Sequence, residues 1–292
     1  MSGLRRPPCV ARDDRHEWPV SKLSDSPLGR AARYPERYDP ALLFAVDRAE
    51  QRTLLEFAGA LPFVGVDLWT AYELSWLNRA GKPEVAIATF SVPADSPRLV
   101  ESKSVKLYLT GFNLTRFDSD VAVSQTLARD LTAVIGASVD VALAPLDANG
   151  GSSFADFSGT CIDRLPIATF DERPVPQALL AAGDVRDETL YTRLFRSVCP
   201  VTGQPDYACV QIGYRGPAID ASGLLRYLVS FRREAGFHEH CVEQIFADVW
   251  RRCRPERLSV YARFTRRGGI DINPWRSSDS RFPPAAVRTA RQ

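Results

Sequence analysis

The sequence predicts an α+β fold assembled from two similar halves, and three features predict it. Asp67 to Leu77 alternates in strand fashion around bulky aromatics, Asn78 to Pro83 supplies a turn containing Gly81, and Glu84 to Pro93 returns, which is a β-hairpin pattern. Asp120 to Val134 and His238 to Arg252 carry apolar residues at helical spacing: Val121, Val123, Leu127, Leu131 and Val134 in one, Val242, Ile245, Phe246 and Val249 in the other. The order of features also repeats. Leu107 to Phe112 matches Arg226 to Phe231, Arg116-Phe117 matches Gly236-Phe237, and after a helix Val139 to Ala144 matches Leu258 to Arg263. A duplicated unit of two strands, helices and two strands follows. Two such units are compatible with one continuous sheet or with two separate ones.

In chain order, residues 1–40 are rich in Arg, Pro and Ser and read as an irregular N-terminal tail. Asp47 to Phe57 is expected to be a short helix, followed by the hairpin. Glu101 to Leu109 fits a helix, which places Lys103 and Lys106 on one face, or an extended segment, which groups Glu101, Lys103 and Val105. Ala137 to Ala144 reads as a strand. Residues 146–190 are less regular: a Gly-Gly-Ser-Ser start, one strand near Ala168 and a Pro-rich joint at Pro174 to Pro176, where the boundary between a first module (41–175) and a second (176–292) is placed. Tyr207 to Tyr214 is a strand, Leu224 to Phe231 a helix and Leu258 to Thr265 a strand. Arg266-Arg267-Gly268-Gly269 then makes a turn, from which Ile270 to Ile272 returns.

Composition narrows the function classes. At 292 residues with 45% hydrophobic and 25% charged side chains, the chain resembles an ordinary soluble protein with a substantial core. A formal charge of +2 gives no general argument for nucleic-acid binding. No apolar run reaches membrane-spanning length, and the N-terminus has no apolar secretory segment, so a cytoplasmic location is expected. The six cysteines (Cys9, Cys161, Cys199, Cys209, Cys241, Cys253) include no Cys-x-x-Cys pair and read as reduced thiols.

The candidate chemistry centres on Ser197 to Asp206. Pro200, Gly203 and Pro205 force a stiff loop that presents Cys199 with a carboxylate, Asp206, seven positions on. That pairing suits a nucleophile with its own proton source, although most free cysteines are small buried hydrophobes. Three further clusters stand out. Lys103 and Lys106 beside Glu101 offer positive charge for phosphates, or simply a solvated face. Phe237-His238-Glu239-His240-Cys241 sets two of the three histidines and an acid at a helix start, suited to the polar edge of a heterocycle or, more weakly, to zinc. Arg266-Arg267-Gly268-Gly269 suits phosphate by forked hydrogen bonds. No Gly-x-Gly-x-x-Gly follows a strand and no Walker loop exists, so a nucleotide would be held by other means.

Taken together these motifs resemble one family. Glu101 to Leu109 (ESKSVKLYL) is similar to the signature of the NADPH-dependent nitrile reductases of queuosine biosynthesis, the 7-cyano-7-deazaguanine reductase (QueF) family. The Cys199–Asp206 loop, Phe237-His238-Glu239, Asp67 to Trp76, and Arg266 to Arg276 match as well, in the order of the family's longer, two-module branch. The resemblance implies tandem tunnelling-fold modules of antiparallel sheet backed by helices. It also implies catalysis by Cys199 and Asp206, and recognition of a 7-deazapurine by Val100, Glu101, Ser102, His238 and Glu239. NADPH would be held by Ser102, Lys103, Arg267 and Gly268, with no metal, no direct nucleic-acid or membrane partner, and a homodimeric assembly. For Asp206 to donate a proton at neutral pH, its pKa is expected to be raised by burial or by the substrate. Two other readings compete: a zinc-dependent pterin or GTP cyclohydrolase-like enzyme of the same fold, with ligands drawn from Cys199, Cys209, His238, His240 and Cys241, and a purine-binding module without catalysis.

Overall fold

A computed structural model describes residues 34–55, 57, 60–147, 154–168, 171–281 and 288–292. Most of the N-terminal tail (1–33), Cys9 and the Gly-Gly-Ser-Ser segment lie outside the described residues. A short pair, β1 (Ala45–Asp47) and β4 (Arg98–Val100), flanks α1 (Arg48–Arg52). The expected hairpin is present as β2 (Val64–Leu77) and β3 (Pro83–Pro93), followed by α2 (Ser102–Thr110), α3 (Asp120–Ile135) and β5 (Asp140–Ala144). After β6 (Thr160–Cys161), the plan recurs as β7 (Ala181–Val198), β8 (Pro205–Ile219), α4 (Ala221–Val229), α5 (His238–Cys253), β9 (Arg257–Phe264) and β10 (Ile270–Ser277).

The duplication extends to side chains. Both α2 and α4 span nine residues and start from an acid whose carboxylate accepts two amide N–H groups of the first turn: Glu101 from Lys103 and Ser104, Asp220 from Ser222 and Gly223. Such caps satisfy donors that the helix itself cannot. The Tyr108 hydroxyl donates to Asp130 at 2.7 Å, and at the matching place the Tyr227 hydroxyl donates to Asp248 at 2.6 Å. Phe112 and Phe231 are buried beside these tyrosines.

The two units share one eight-stranded sheet, ordered β5-β3-β2-β10-β9-β8-β7-β6 among the described residues. Every neighbouring pair is antiparallel except β6 with β7. The junction is β2 against β10, in register from Ala71–Ile270 to Val64–Ser277. Gly65 permits this close pairing, because a Cβ there would lie 2.2 Å from the Trp275 carbonyl oxygen. Helices cover one face of the sheet. Around α2 and α3 the core holds Trp69, Phe90, Leu127 and Leu131; around α4 and α5 it holds Ile212, Leu228, Phe246 and Val260. Burying such side chains is the main favourable contribution to the fold, at about 25 cal/mol per Å² of apolar surface.

Under the β2–β10 seam lies a buried ion network. Arg276 donates to Asp67 at 2.7 Å and to Glu243 at 2.8 Å, Arg48 pairs with Asp67 at 2.5 Å, and Arg52 pairs with Glu243 at 2.7 Å. Three guanidinium groups and two carboxylates thus tie α1 and β2 to α5 and β10.

Four expectations need correction. Residues 101–109 are helical from Ser102 onward, which excludes the extended alternative. Ala168 sits in a bend rather than a strand. Residues 146–190 are less irregular than expected, since β7 begins at Ala181; its first part is charged and exposed, so it lacks the apolar alternation that marks a half-buried strand. Among the described residues the first unit also has no fourth strand beside β5, and β6 instead pairs with the far edge of β7.

Candidate active site

Cys199 opens the turn between β7 and β8. Its N–H donates to the Gln204 carbonyl at 2.8 Å, and its own carbonyl accepts from Gly203 N–H at 3.0 Å. Gly203 adopts φ +66°, a conformation in which glycine carries no steric cost. Asp206, one residue into β8, is paired against Ser197, so the hairpin delivers thiol and carboxylate to the same cleft. The cleft is narrow, with a cavity volume of about 70 Å³, and is open to solvent. Both units build it: Trp69, Val100, Ser102 and Lys106 come from the first, and Cys199, Asp206, Phe237, His238, Glu239 and Arg267 from the second.

Asp206 is almost fully buried. Its Oδ1 accepts from Arg267 Nη1, whose neighbouring Nη2 donates to Gln204 Oε1. His238 Nε2 lies 3.5 Å from the same carboxylate oxygen. Burial alone would lift the Asp206 pKa, but His238 and Arg267 outweigh it and hold the carboxyl below its ordinary value. The raised pKa expected for Asp206 is therefore not found, because these two neighbours outweigh burial. The His238 ring stacks flat on Phe264, with centroids 3.7 Å apart, and its Nδ1 is buried without a hydrogen-bond partner among the described residues. Glu239 is 3% exposed; burial and the nearby Asp67 charge push its pKa up, against the pull of His238 and Arg48.

On α2 the helical geometry separates the predicted residues. Ser102 and Lys106, four apart, share a face and line the cleft, while Lys103 does not. Lys106 is therefore the cation aimed at the site. Burial, and then the Arg267 charge, push its pKa down, opposed by Glu101, Asp206 and Cys199. Glu101 is fully buried between two lining residues, Val100 and Ser102, but does not itself line the cleft, because its carboxylate caps α2. Burial pushes its pKa up. Gly268, at φ +59°, lies beyond Lys106 in an adjoining depression that also includes Glu73, Thr110 and Gly269. A Cβ at Gly268 would come within 3.1 Å of Lys106 Cδ, so the bare turn is what lets the lysine reach past it. The sequence did not single out Trp69, Gln204 or Ile270; nothing in their local pattern distinguishes them from core and turn residues.

The zinc ligand set is not assembled. Cys209 belongs to a cluster with Tyr191, Tyr261 and Trp275, while its neighbours Ala208 and Val210 join the helix-side core. Among the described residues no three His, Cys, Asp or Glu side chains form a metal-binding group. Cys161, Cys199, Cys209, Cys241 and Cys253 are free thiols.

A continuous antiparallel sheet backed by helices, with a thiol, a carboxylate and a guanidinium meeting at the seam of two repeated units, defines the class of protein. Residues 34–143 match the family model described as nitrile reductase, 7-cyano-7-deazaguanine-reductase N-term, and residues 205–282 match that of QueF-like protein. The NADPH-dependent 7-cyano-7-deazaguanine reductase of Bordetella pertussis is 56% identical over 271 residues, covering 92% of this chain and 99% of the relative. The enzyme of the same name from Chromobacterium violaceum is 53% identical over 269 residues, covering 91% and 96%. The chain belongs to the family of NADPH-dependent 7-cyano-7-deazaguanine reductases.

The residues present fit that cofactor. Lys106 lines both the cleft and the adjoining depression beside Gly268 and Gly269, and Arg267 lines the cleft, so two cations suited to phosphates flank the turn.

Proposed function

We propose that this protein reduces the nitrile of 7-cyano-7-deazaguanine to the primary amine, 7-aminomethyl-7-deazaguanine, in tRNA queuosine biosynthesis. The observation that carries the reading is the joint placement of Cys199 and Asp206 in one cleft with Glu239 and Arg267, in a chain of this family. NADPH supplies the hydride, two equivalents per nitrile. Cys199 attacks the electrophilic nitrile carbon and holds it as a covalent thioimide. Asp206 delivers a proton to the nitrile nitrogen as negative charge builds there. Glu239 accepts from the amidine edge of the heterocycle, His238 adds a polar contact beside it, and Val100 and Ser102 border the ring. Glu101 acts from behind, fixing the first turn of α2 and so the position of Ser102. Ser102, Lys106, Arg267 and Gly268 form the cofactor side, with Lys103 reaching it only from outside the cleft. The two modules, 41–175 and 176–292, would work as one unit, since both line the site; a homodimer is the expected assembly, to be checked by sedimentation.

The test is intact mass of the protein mixed with 7-cyano-7-deazaguanine in the absence of NADPH. A gain equal to the substrate mass, absent in Cys199→Ala and discharged by NADPH, supports the assignment. A folded wild-type protein that gains no mass sinks the thioimide mechanism.

A further inference from the structure

The site contains an apparent contradiction: the residue that must carry a proton is held in an ion pair that keeps it ionised. Arg267 forms that pair, and it is the same guanidinium that stands on the cofactor side of the cleft. Its two nitrogens reach different groups of the catalytic hairpin, Nη1 to Asp206 and Nη2 to the Gln204 side chain. The residue sits in the β9–β10 turn, where Arg267 and Ile270 bridge, and its side chain remains 28% exposed while that of Asp206 is 5% exposed. A partly exposed arginine on a glycine turn can swing toward an incoming anion; the buried carboxylate cannot follow.

We infer that Arg267 is a positioning residue that couples cofactor binding to the proton donor, clamping Asp206 as a carboxylate until a cofactor phosphate draws the guanidinium away. This rests on the nitrile reductase reading. While Arg267 is in place, it fixes the Cys199–Asp206 hairpin through Gln204 and keeps Asp206 deprotonated. Once it leaves, His238 alone is left to oppose burial, so the charged form of Asp206 is less favoured and the carboxylate takes up a proton from solvent through the open cleft more readily. The other ionisable groups facing Asp206 are Cys199 on its own hairpin, Lys106 of α2, and His238, Glu239 and Cys241 of α5. Of these, His238 stands 3.5 Å from the carboxylate, and it remains after Arg267 departs.

The experiment follows the Asp206 carboxyl directly, by carbon-13 NMR of full-length enzyme labelled at aspartate Cγ, with Asp206→Asn assigning the resonance. Spectra are recorded against pH for wild type, Arg267→Met and Arg267→Lys, each with and without saturating NADP+, which brings the phosphates but no hydride. Wild type without NADP+ is expected to titrate below the ordinary aspartate value, and Arg267→Met to titrate about 1–3 pH units higher, the usual effect of one adjacent opposite charge. NADP+ should produce a similar rise in wild type and none in Arg267→Met, while Arg267→Lys should retain much of the clamp. An unmoved titration in a folded Arg267→Met overturns the clamp, and an unmoved titration of wild type with NADP+ overturns the coupling. Covalent adduct formation on the same samples keeps the two claims apart: a missing adduct overturns the nitrile chemistry whatever the titration shows.

Discussion

Replacing Glu243 with glutamine removes one negative charge from the network that joins the two units while leaving its shape nearly unchanged. Glu243 is buried at 3% exposure and accepts from Arg276 and Arg52, with Arg48 at 3.8 Å. Burial pushes its pKa up, but the three guanidinium groups dominate and bring it from the ordinary 4.5 down to about 2. At about 1.4 kcal/mol per pH unit, that fall corresponds to roughly 3 kcal/mol of folding stability. The same order follows from breaking a buried ion pair, which costs about 3–5 kcal/mol because the partner charge stays behind. Because the folded pKa is depressed, the contribution is fully present above about pH 4.5 and is lost as pH falls toward about 2. Urea denaturation of wild type and Glu243→Gln at a series of pH values reads this directly. The gap should be about 3 kcal/mol at pH 7 and should narrow below pH 4.5. Glu256→Gln, in an exposed pair with Arg215, is the control and should change little. A gap at pH 7 no larger than the control's, or one that stays constant down to pH 3, refutes the reasoning.

Asp206→Asn should still bind the nitrile substrate but form the thioimide about 10²- to 10⁴-fold more slowly, the usual contribution of a placed general acid, as read by quenched-flow mass spectrometry. An unchanged rate would remove Asp206 from the proton transfer. Gly65→Ala should lower stability by about 1–3 kcal/mol in urea melts, since its Cβ meets the Trp275 carbonyl oxygen at the junction strand. Lys106→Ala should raise the KM for NADPH more than Lys103→Ala does, because Lys106 alone of the two lines the cleft; equal effects would argue against the geometry. Adduct formation should stop at one substrate per chain.

Where the sequence carried periodicity, it was read correctly. The β2–β3 hairpin, α3 and α5 follow from side-chain spacing, since each buries one face against the sheet. All of β7 was missed: the charged residues of its first part face solvent, and pairing with β8 along its length makes it a strand. The site divides in the same way. Cys199 and Asp206 were legible because proline and glycine mark their turn. The choice between Lys103 and Lys106 was not, because it depends on helix phase relative to a cleft formed by another part of the chain. The depressed pKa of Asp206 was also hidden, since its causes, His238 first and then Arg267, lie on α5 and in the β9–β10 turn, far along the chain.

The duplication accounts for a single site in a chain with two copies of the scaffold. Leu77 and Val198 end corresponding strands, each in a parallel bridge to the segment before the long helix, at Arg116 and Ala235. The residue after each opens a turn closed by a corresponding bond, the second turn being one residue longer: Asn78 N–H to the Lys82 carbonyl at 2.9 Å, and Cys199 N–H to the Gln204 carbonyl at 2.8 Å. Asn78 therefore occupies in the first unit the place that Cys199 holds in the second. The long helices start correspondingly with Asp120-Val121 and with His238-Glu239. An amide is not a nucleophile, and a valine cannot accept from a heterocycle edge, so the first hairpin has the geometry of the site without its chemistry. What the first unit contributes instead is the opposite wall: Trp69 from β2, with Ser102 and Lys106 on a helix whose start is fixed by Glu101. On the proposed mechanism the second unit supplies the reacting groups, and the cleft exists because β2 and β10 join the units edge to edge.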